Sequence, residues 1–483
     1  MVLKLAVVGG GPSAFYVASR ILSLLPDAPS VAVHMYDRLW SPHGLVRYGV
    51  APDHPEVKNC THKFDTLAND ARFRFFGNVN VISPVSPPSR IPHALNVPVE
   101  SLLGHYTHLL LASGSALPVT HPRLRTSATC VPALDLVHWY TQHPVQSTPP
   151  PLKSTTHMTI IGHGNVSLDI ARMLLSPVST LAKYDVPEPV LQHLSESSIR
   201  HVSIIGRRDP ASVKFTAKEL RELMNIPDVS LVPIPSSLFP TAGAQLTRQQ
   251  SRILDIMRAG SKAPYGSTSK TVSIDFMRSP SGYDADNKSL QLDVTRLDTD
   301  GIAQATGDTE SVQTDLTVMS MGYTGEPMGL SAEADSSWFD SKLGHLRTRA
   351  GQVYTAPDTR LRNVYASGWA AHGARGVLNT TMMDAYAVAQ RIIGDYLASE
   401  GAAATPTDQP EAQEAEVMNE RASLFSLPPE ILTADAQKGG PARVFSYRDW
   451  KTVDEAEQER GRELGKERER MQYWDAIRVL DRS

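Results

Sequence analysis

Cysteine is nearly absent: 483 residues contain only Cys60 and Cys130, far apart and in no C-x-x-C pair. The chain therefore cannot carry its own four-cysteine iron–sulfur cluster, nor the dithiol that disulfide reductases use, and both thiols read as small buried hydrophobes. No apolar run approaches the roughly 20 residues of a membrane span, so no transmembrane helix is expected. A large excess of one sign of charge is missing too. A net charge of -4 against 47 basic and 51 acidic residues gives no general case for nucleic acid. The first strand begins at Leu3, leaving no visible presequence or signal peptide; the chain is expected to work where it is made or to be numbered from a trimmed start. With 41% hydrophobic and 20% charged residues it reads as globular, and its length predicts two or three domains.

What is present is a strand running into a glycine turn. Leu5 to Ala14 reads LAVVGGGPSA, with Gly9, Gly11 and Ala14 in the spacing G-x-G-x-x-A and an apolar-periodic helix beyond. One glycine permits the turn, a second lets backbone approach a pyrophosphate, and the small third residue lets helix and strand pack closely. A second strand, Val31 to Tyr36, ends on Asp37, where a carboxylate can accept from a ribose diol. The pattern returns at Met158 to Gly164, MTIIGHG, followed by the helical run NVSLDIARMLL. This time the next strand, His201 to Ile205, ends on Gly206, Arg207 and Arg208. Two guanidiniums there suit a 2′-phosphate, so the second site should prefer NADP(H) to NAD(H). Two dinucleotide units of opposite signature imply one bound carrier and one exchangeable one, with hydride passing from nicotinamide to a flavin. No metal site is expected.

Gly44 to Asn59, GLVRYGVAPDHPEVKN, closely resembles the adrenodoxin reductase family, the mitochondrial NADPH–ferredoxin reductases and their bacterial counterparts. The motif G-x-G-N-V-x-x-D-x-A-R matches Gly162, Gly164, Asn165, Val166, Asp169, Ala171 and Arg172, and the run from Gly206 to Glu222 matches as well. The likeness extends from residue 3 to near the end, with gaps at Ser115–Pro151 and Leu231–Ser269. It implies FAD and NADPH as cofactors. FAD would be held by Gly9, Gly11, Ser13, Ala14, Asp37, Gly44, Leu45 and Val81, and near the end of the chain by Trp369, Gly376, Val377 and Leu378. NADP would be held by His163, Gly164, Asn165, Val166, Arg207, Arg208, Glu219 and Gly376. His54 and Asp169 would pair in a proton relay. Arg221, Arg248, Arg252 and Arg258 would dock an acidic ferredoxin, although on sequence alone they equally suit a solvated face. Where the family commonly reads G-P-T-G, this chain has Gly373-Ala374-Arg375-Gly376, which puts a cation near the nicotinamide path.

The resemblance implies two Rossmann-like three-layer α/β domains, one inserted in the other. Residues 1–113 and 338–483 would form the FAD-binding domain and residues 114–337 the NADP-binding domain. The activity implied is transfer of single electrons from NADPH, through FAD, to a separate [2Fe–2S] ferredoxin of the adrenodoxin type, for haem monooxygenases or iron–sulfur cluster assembly. The alternatives are a flavin oxidoreductase with another acceptor and a redox-inactive nucleotide-binding scaffold. The family suggests a monomer in the mitochondrial matrix, on the inner-membrane side and peripherally associated. Four structural expectations complete the reading. Phe73 to Ile82 holds one strand; Leu290 to Leu297 helps close the second domain; Gly401 to Glu416 is a surface loop; and Thr452 to Tyr473 is a charged helix with a solvated face.

Overall fold

A computed structural model describes residues 2–26, 28–145, 147–241, 243–331, 337–355, 358–376, 378–399, 413–436 and 442–482. The apolar strand Leu3–Val8 is buried along its whole length because it lies inside a parallel sheet covered on both faces. Leu3, Leu5 and Val7 point into a core shared with helix Pro12–Leu24, helix Leu378–Ser399 and the C-terminal Trp450, Val453 and Ala476. Ala6 and Val8 face the opposite core, with Val97, Leu102, Trp338 and Ala370.

Among the described residues six strands of this sheet run parallel: Phe73–Gly77, Val31–Asp37, Leu3–Val8, His108–Leu111 and Thr359–Ala366 in that order, with Glu414–Glu416 beside the last. Gln352–Thr355 and Thr348–Arg349 add an antiparallel edge. The sheet is thus built from both ends of the chain. The middle of the chain forms a second sheet of six parallel strands: Val229–Leu231, Lys270–Asp275, His201–Ile205, His157–Ile161, Leu316–Met319 and Cys130–Pro132. Helices pack around it in a separate core. The chain passes between the sheets twice, and the two passages lie side by side where Leu117–Pro118 pairs antiparallel with Tyr323–Thr324.

Several local expectations change. The strand expected over 73–82 is broken into Phe73–Gly77 and Val79–Ile82, because Asn78 takes φ 63° and its amide bonds the carbonyls of His93 and Arg443. Ser289–Leu297 is the middle of a separate three-stranded antiparallel sheet and takes no part in the six-stranded one. Glu414–Glu416 forms a short strand beside Thr359–Ala366; residues 401–412 lie outside the described residues. Cys130 is fully buried, whereas Cys60 is only partly so.

The largest difference is at the C-terminus. Helix Tyr447–Glu463 stops before the expected end, and its charges are not all solvated. Glu457 is fully buried and takes a two-pronged bond from Arg47, at 2.6 and 3.0 Å. Beyond the helix, Lys466 reaches the Val186 carbonyl at 2.9 Å, and Arg470 reaches the Thr141 carbonyl and Asp185, each at 2.6 Å. The partners just named lie hundreds of positions away along the chain, where periodicity cannot show them.

Candidate functional site

Each sheet ends a central strand in the same turn. Gly9 has φ 108°, and a Cβ there would meet the Ala112 carbonyl oxygen at 2.4 Å; Gly162 has φ 129°, and its Cβ would meet the Ser320 oxygen at 2.1 Å. Only glycine fits at either point. Beyond the turns, Gly11 caps helix Pro12–Leu24 and Gly164 caps helix Asn165–Leu175. Neither helix has a side-chain cap or an acidic residue in its first turn, and a Cβ at either cap would meet nothing within 4 Å. Two sets of free backbone donors, at the positive ends of two helix dipoles, thus open into space suited to a pyrophosphate. That space is one continuous cleft of about 1300 Å³, lined from both units.

In the first site Asp37 ends its strand buried, accepting from the Gly10 and Leu39 N–H groups at 2.7 and 2.8 Å. Burial pushes its carboxyl up to about 6, against the pull of those two N–H groups. Ala14 is fully buried between helix and sheet, and Ser13 Oγ lies 2.6 Å from Ser367 Oγ. Gly44 has φ 46° and backs onto the Gly11 Cα. Beside it Leu45 is 40% exposed yet lies within the cleft, an apolar side chain without an apolar cover. Val81 lines the same wall. At the far end Trp369 stacks on Tyr323, 6.1 Å between centroids, and donates to the Arg375 carbonyl. Gly376, with φ 83°, also lines the cleft. Leu378 opens helix Leu378–Ser399, and Val377 lies outside the described residues.

In the second site Arg207 is exposed and Arg208 half-buried, and among the described residues neither has an ion-pair partner. Arg208 Nε is buried without any hydrogen bond. The His163 ring covers Gly206, where a Cβ would come within 2.4 Å of it; burial lowers its pKa to about 4, so it is neutral. Asn165 accepts from the Thr216 N–H at 2.8 Å, joining two helix starts, and Gly164 and Val166 line the cleft.

Between the sites lies a cluster built around Arg172. Its guanidinium meets Asp53 at 2.6 Å, Asp169 at 2.8 Å, Glu219 at 3.0 Å and Glu222 at 3.4 Å. His54 does not meet Asp169 directly: its Nε2 lies 2.7 Å from Glu222 Oε2 and 3.9 Å from Glu219 Oε2. Arg172 takes the Asp169 carboxylate instead. Burial, with the negative charge of Glu219 beside it, pushes the Asp169 carboxyl up to about 7 against the pull of Arg172. Arg172, Glu222, Asp53 and Tyr323 were not assigned roles from sequence. Arg172 and Glu222 lie inside matched runs, and their periodicity carried no further signal.

The four candidate docking arginines fall on two helices in contact, Ala217–Met224 and Arg248–Ala259. Arg248 and Arg252 are exposed and Arg221 half-buried; Arg258 pairs with Asp255 at 3.2 Å and lies over the Phe239 ring.

No family model matches the chain. It is 32% identical over 490 residues to the mitochondrial NADPH:adrenodoxin oxidoreductase of Salvelinus fontinalis, covering 97% of this chain and 89% of that one. The human enzyme of the same name is 31% identical, covering 97% and 90%. NADPH-ferredoxin reductase FprA of Mycobacterium tuberculosis is 32% identical over 393 residues, covering 79% and 81%. The solved structure of that FprA in complex with NADPH superposes with a TM-score of 0.81 at 28% identity, covering 99% of both chains.

Proposed function

The chain belongs to the NADPH:adrenodoxin oxidoreductase family, and from that premise we propose that it is an FAD enzyme that oxidises NADPH and delivers electrons singly to a ferredoxin. One observation carries the reading: two dinucleotide units, one ending on Asp37 and the other on Arg207 and Arg208, open into a single cleft. The donor sets fit both groups. The uncapped helix starting at Pro12, the tight Gly9 turn and the uncovered Leu45 suit a flavin dinucleotide, and two arginines without carboxylate partners among the described residues suit a 2′-phosphate. We take residues 1–113 with 338–483 as the FAD unit and 114–337 as the NADP unit; the paired passages at Leu117–Pro118 and Tyr323–Thr324 support those boundaries.

When bound, FAD supplies acceptance of a hydride as an electron pair and its release one electron at a time. The rest falls to side chains and backbone. The Gly11 and Gly164 helix starts hold pyrophosphates; Asp37 accepts from the FAD ribose; Arg207 and Arg208 hold the NADPH 2′-phosphate. Gly44, Leu45, Val81, Trp369 and Gly376 wall the FAD site, and His163 and Asn165 shape the NADP turn. His54 Nε2 and Glu222 Oε2 share a proton at the cleft, while Arg172 keeps the surrounding carboxylates, Asp169 and Glu219 included, in place. Exposed Arg248 and Arg252, with Arg221 and Arg258, give an acidic ferredoxin of the [2Fe–2S] type a charged place to dock. The relatives' names support a mitochondrial location; the matrix side of the inner membrane, peripheral association and a monomeric state belong to the same proposal.

Anaerobic titration of the purified protein with NADPH and with NADH tests this. Bleaching of the flavin band at far lower NADPH than NADH, then reduction of an adrenodoxin-type ferredoxin, is the expected result. A colourless protein, or equal response to both nucleotides, would overturn it.

A further inference from the structure

With a pyrophosphate at Gly11 and a ribose at Asp37, the base of the first dinucleotide must lie beyond the strand end, towards Leu39 and Ile91. That end of the cleft is closed by a helix from the other unit, Ala133–Tyr140, and the turn after it. Gln142 takes φ 52°, its N–H bonds the Trp139 carbonyl, and the His143 N–H bonds the His138 carbonyl at 2.8 Å. This is a Schellman ending, which folds the residue after the turn back onto the last helical turn. Here the two residues brought together are histidines, stacked with centroids 3.9 Å apart and planes 15° from parallel. His143 sits edge-on to Tyr48, and its Nδ1 accepts from the Val145 N–H at 3.0 Å. Val145 in turn packs against Leu39 and Ile91. His138 and His143 both line the cleft, and His138, 8% exposed, has a buried Nδ1 with no hydrogen-bond partner. Burial, together with the positive charge of Arg90, keeps both rings neutral.

We propose that His138 and His143 wall the adenine of FAD, the paired neutral rings giving the purine a flat aromatic surface. The NADP unit thereby completes the FAD site. The inference rests on the FAD reading above.

The test uses the full chain stripped of flavin, as parent, His138→Ala and His143→Ala. Each is titrated with FAD, with ADP as a competitor carrying only the adenosine end, with FMN, which has no adenine, and with NADPH. The dissociation constants for FAD and ADP should rise tenfold or more in both variants, with FMN and NADPH within twofold of the parent. FAD affinity within twofold of the parent, or FMN and NADPH weakened in parallel with FAD, would overturn the proposal while leaving the FAD reading intact. A parent that binds no FAD would overturn both.

Discussion

Arg208 enters the second site with its Nε buried and unbonded, so its stabilisation of a ligand phosphate is not offset by a lost protein contact. Removing one charge-assisted contact of this kind costs about 1.5–3 kcal/mol, roughly tenfold to a hundredfold in affinity. Arg208→Ala and Arg207→Ala should each weaken NADPH binding by that factor and leave NADH binding unchanged, as read from flavin bleaching. Asp37 gives a pH signature. Its folded pKa, about 6, lies above the ordinary 3.8, so the protonated form is favoured in the fold. Its contribution to stability is complete below pH about 4 and lost as pH rises through 6, an effect of order 3 kcal/mol. Against flavin-free parent, flavin-free Asp37→Asn should lose less thermal stability between pH 4 and 7. A pair of parallel curves would remove this cause. Asp37, Arg207 and Arg208 were legible in sequence because each ends a strand after a glycine turn, where position alone sets chemistry. The Arg172 cluster was not, because Asp53, Asp169 and Glu222 come from three segments and meet only through space.

At the scale of elements, the strand–turn–helix units could be read from periodicity and glycine spacing, whereas the C-terminal helix could not. Its Glu457 looks like one charge among many, yet it is fully buried against Arg47, which also lies over the Trp450 ring at 4.6 Å. Breaking a buried pair from one side leaves an uncompensated charge and costs about 3–5 kcal/mol, whereas replacing both partners by apolar groups is often near neutral. Glu457→Leu should therefore destabilise strongly, and because Glu457 also holds Arg468 at 3.1 Å and the Met471 N–H at 2.8 Å, Arg47→Met with Glu457→Leu should recover only part of the loss in urea unfolding. The helix Ala133–Tyr140 offers a change of opposite sign. Gln142 holds a left-handed conformation with a buried, unbonded Oε1. Gln142→Gly should stabilise by about 1 kcal/mol, seen as a higher urea midpoint, since glycine pays no penalty there.

At the scale of the whole molecule, the segment after the charged helix acts as a strap. Asp185 of the middle unit receives Lys58 of the first unit at 2.8 Å and Arg470 of the C-terminal segment at 2.6 Å. Asp185→Asn takes the shared carboxylate from buried Arg470 and half-buried Lys58. The expected outcome is a loosened junction, with urea unfolding separating into two transitions and faster limited proteolysis between the units; one unchanged transition would count against the strap. The two-sheet architecture was legible from the repeated turn, but the strap was not, since nothing local marks Lys466 and Arg470 as buried. The interrupted first sheet also bears on biosynthesis. Leu109 pairs with Val364, about 255 residues later. At roughly 5–20 residues per second on the ribosome, the edge at His108–Leu111 stays open for roughly 10–50 s, while the six-stranded unit emerges whole. The middle of the protein is thus made and ready before its beginning can be finished, and a nascent chain halted short of residue 359 offers chaperones a bare sheet edge.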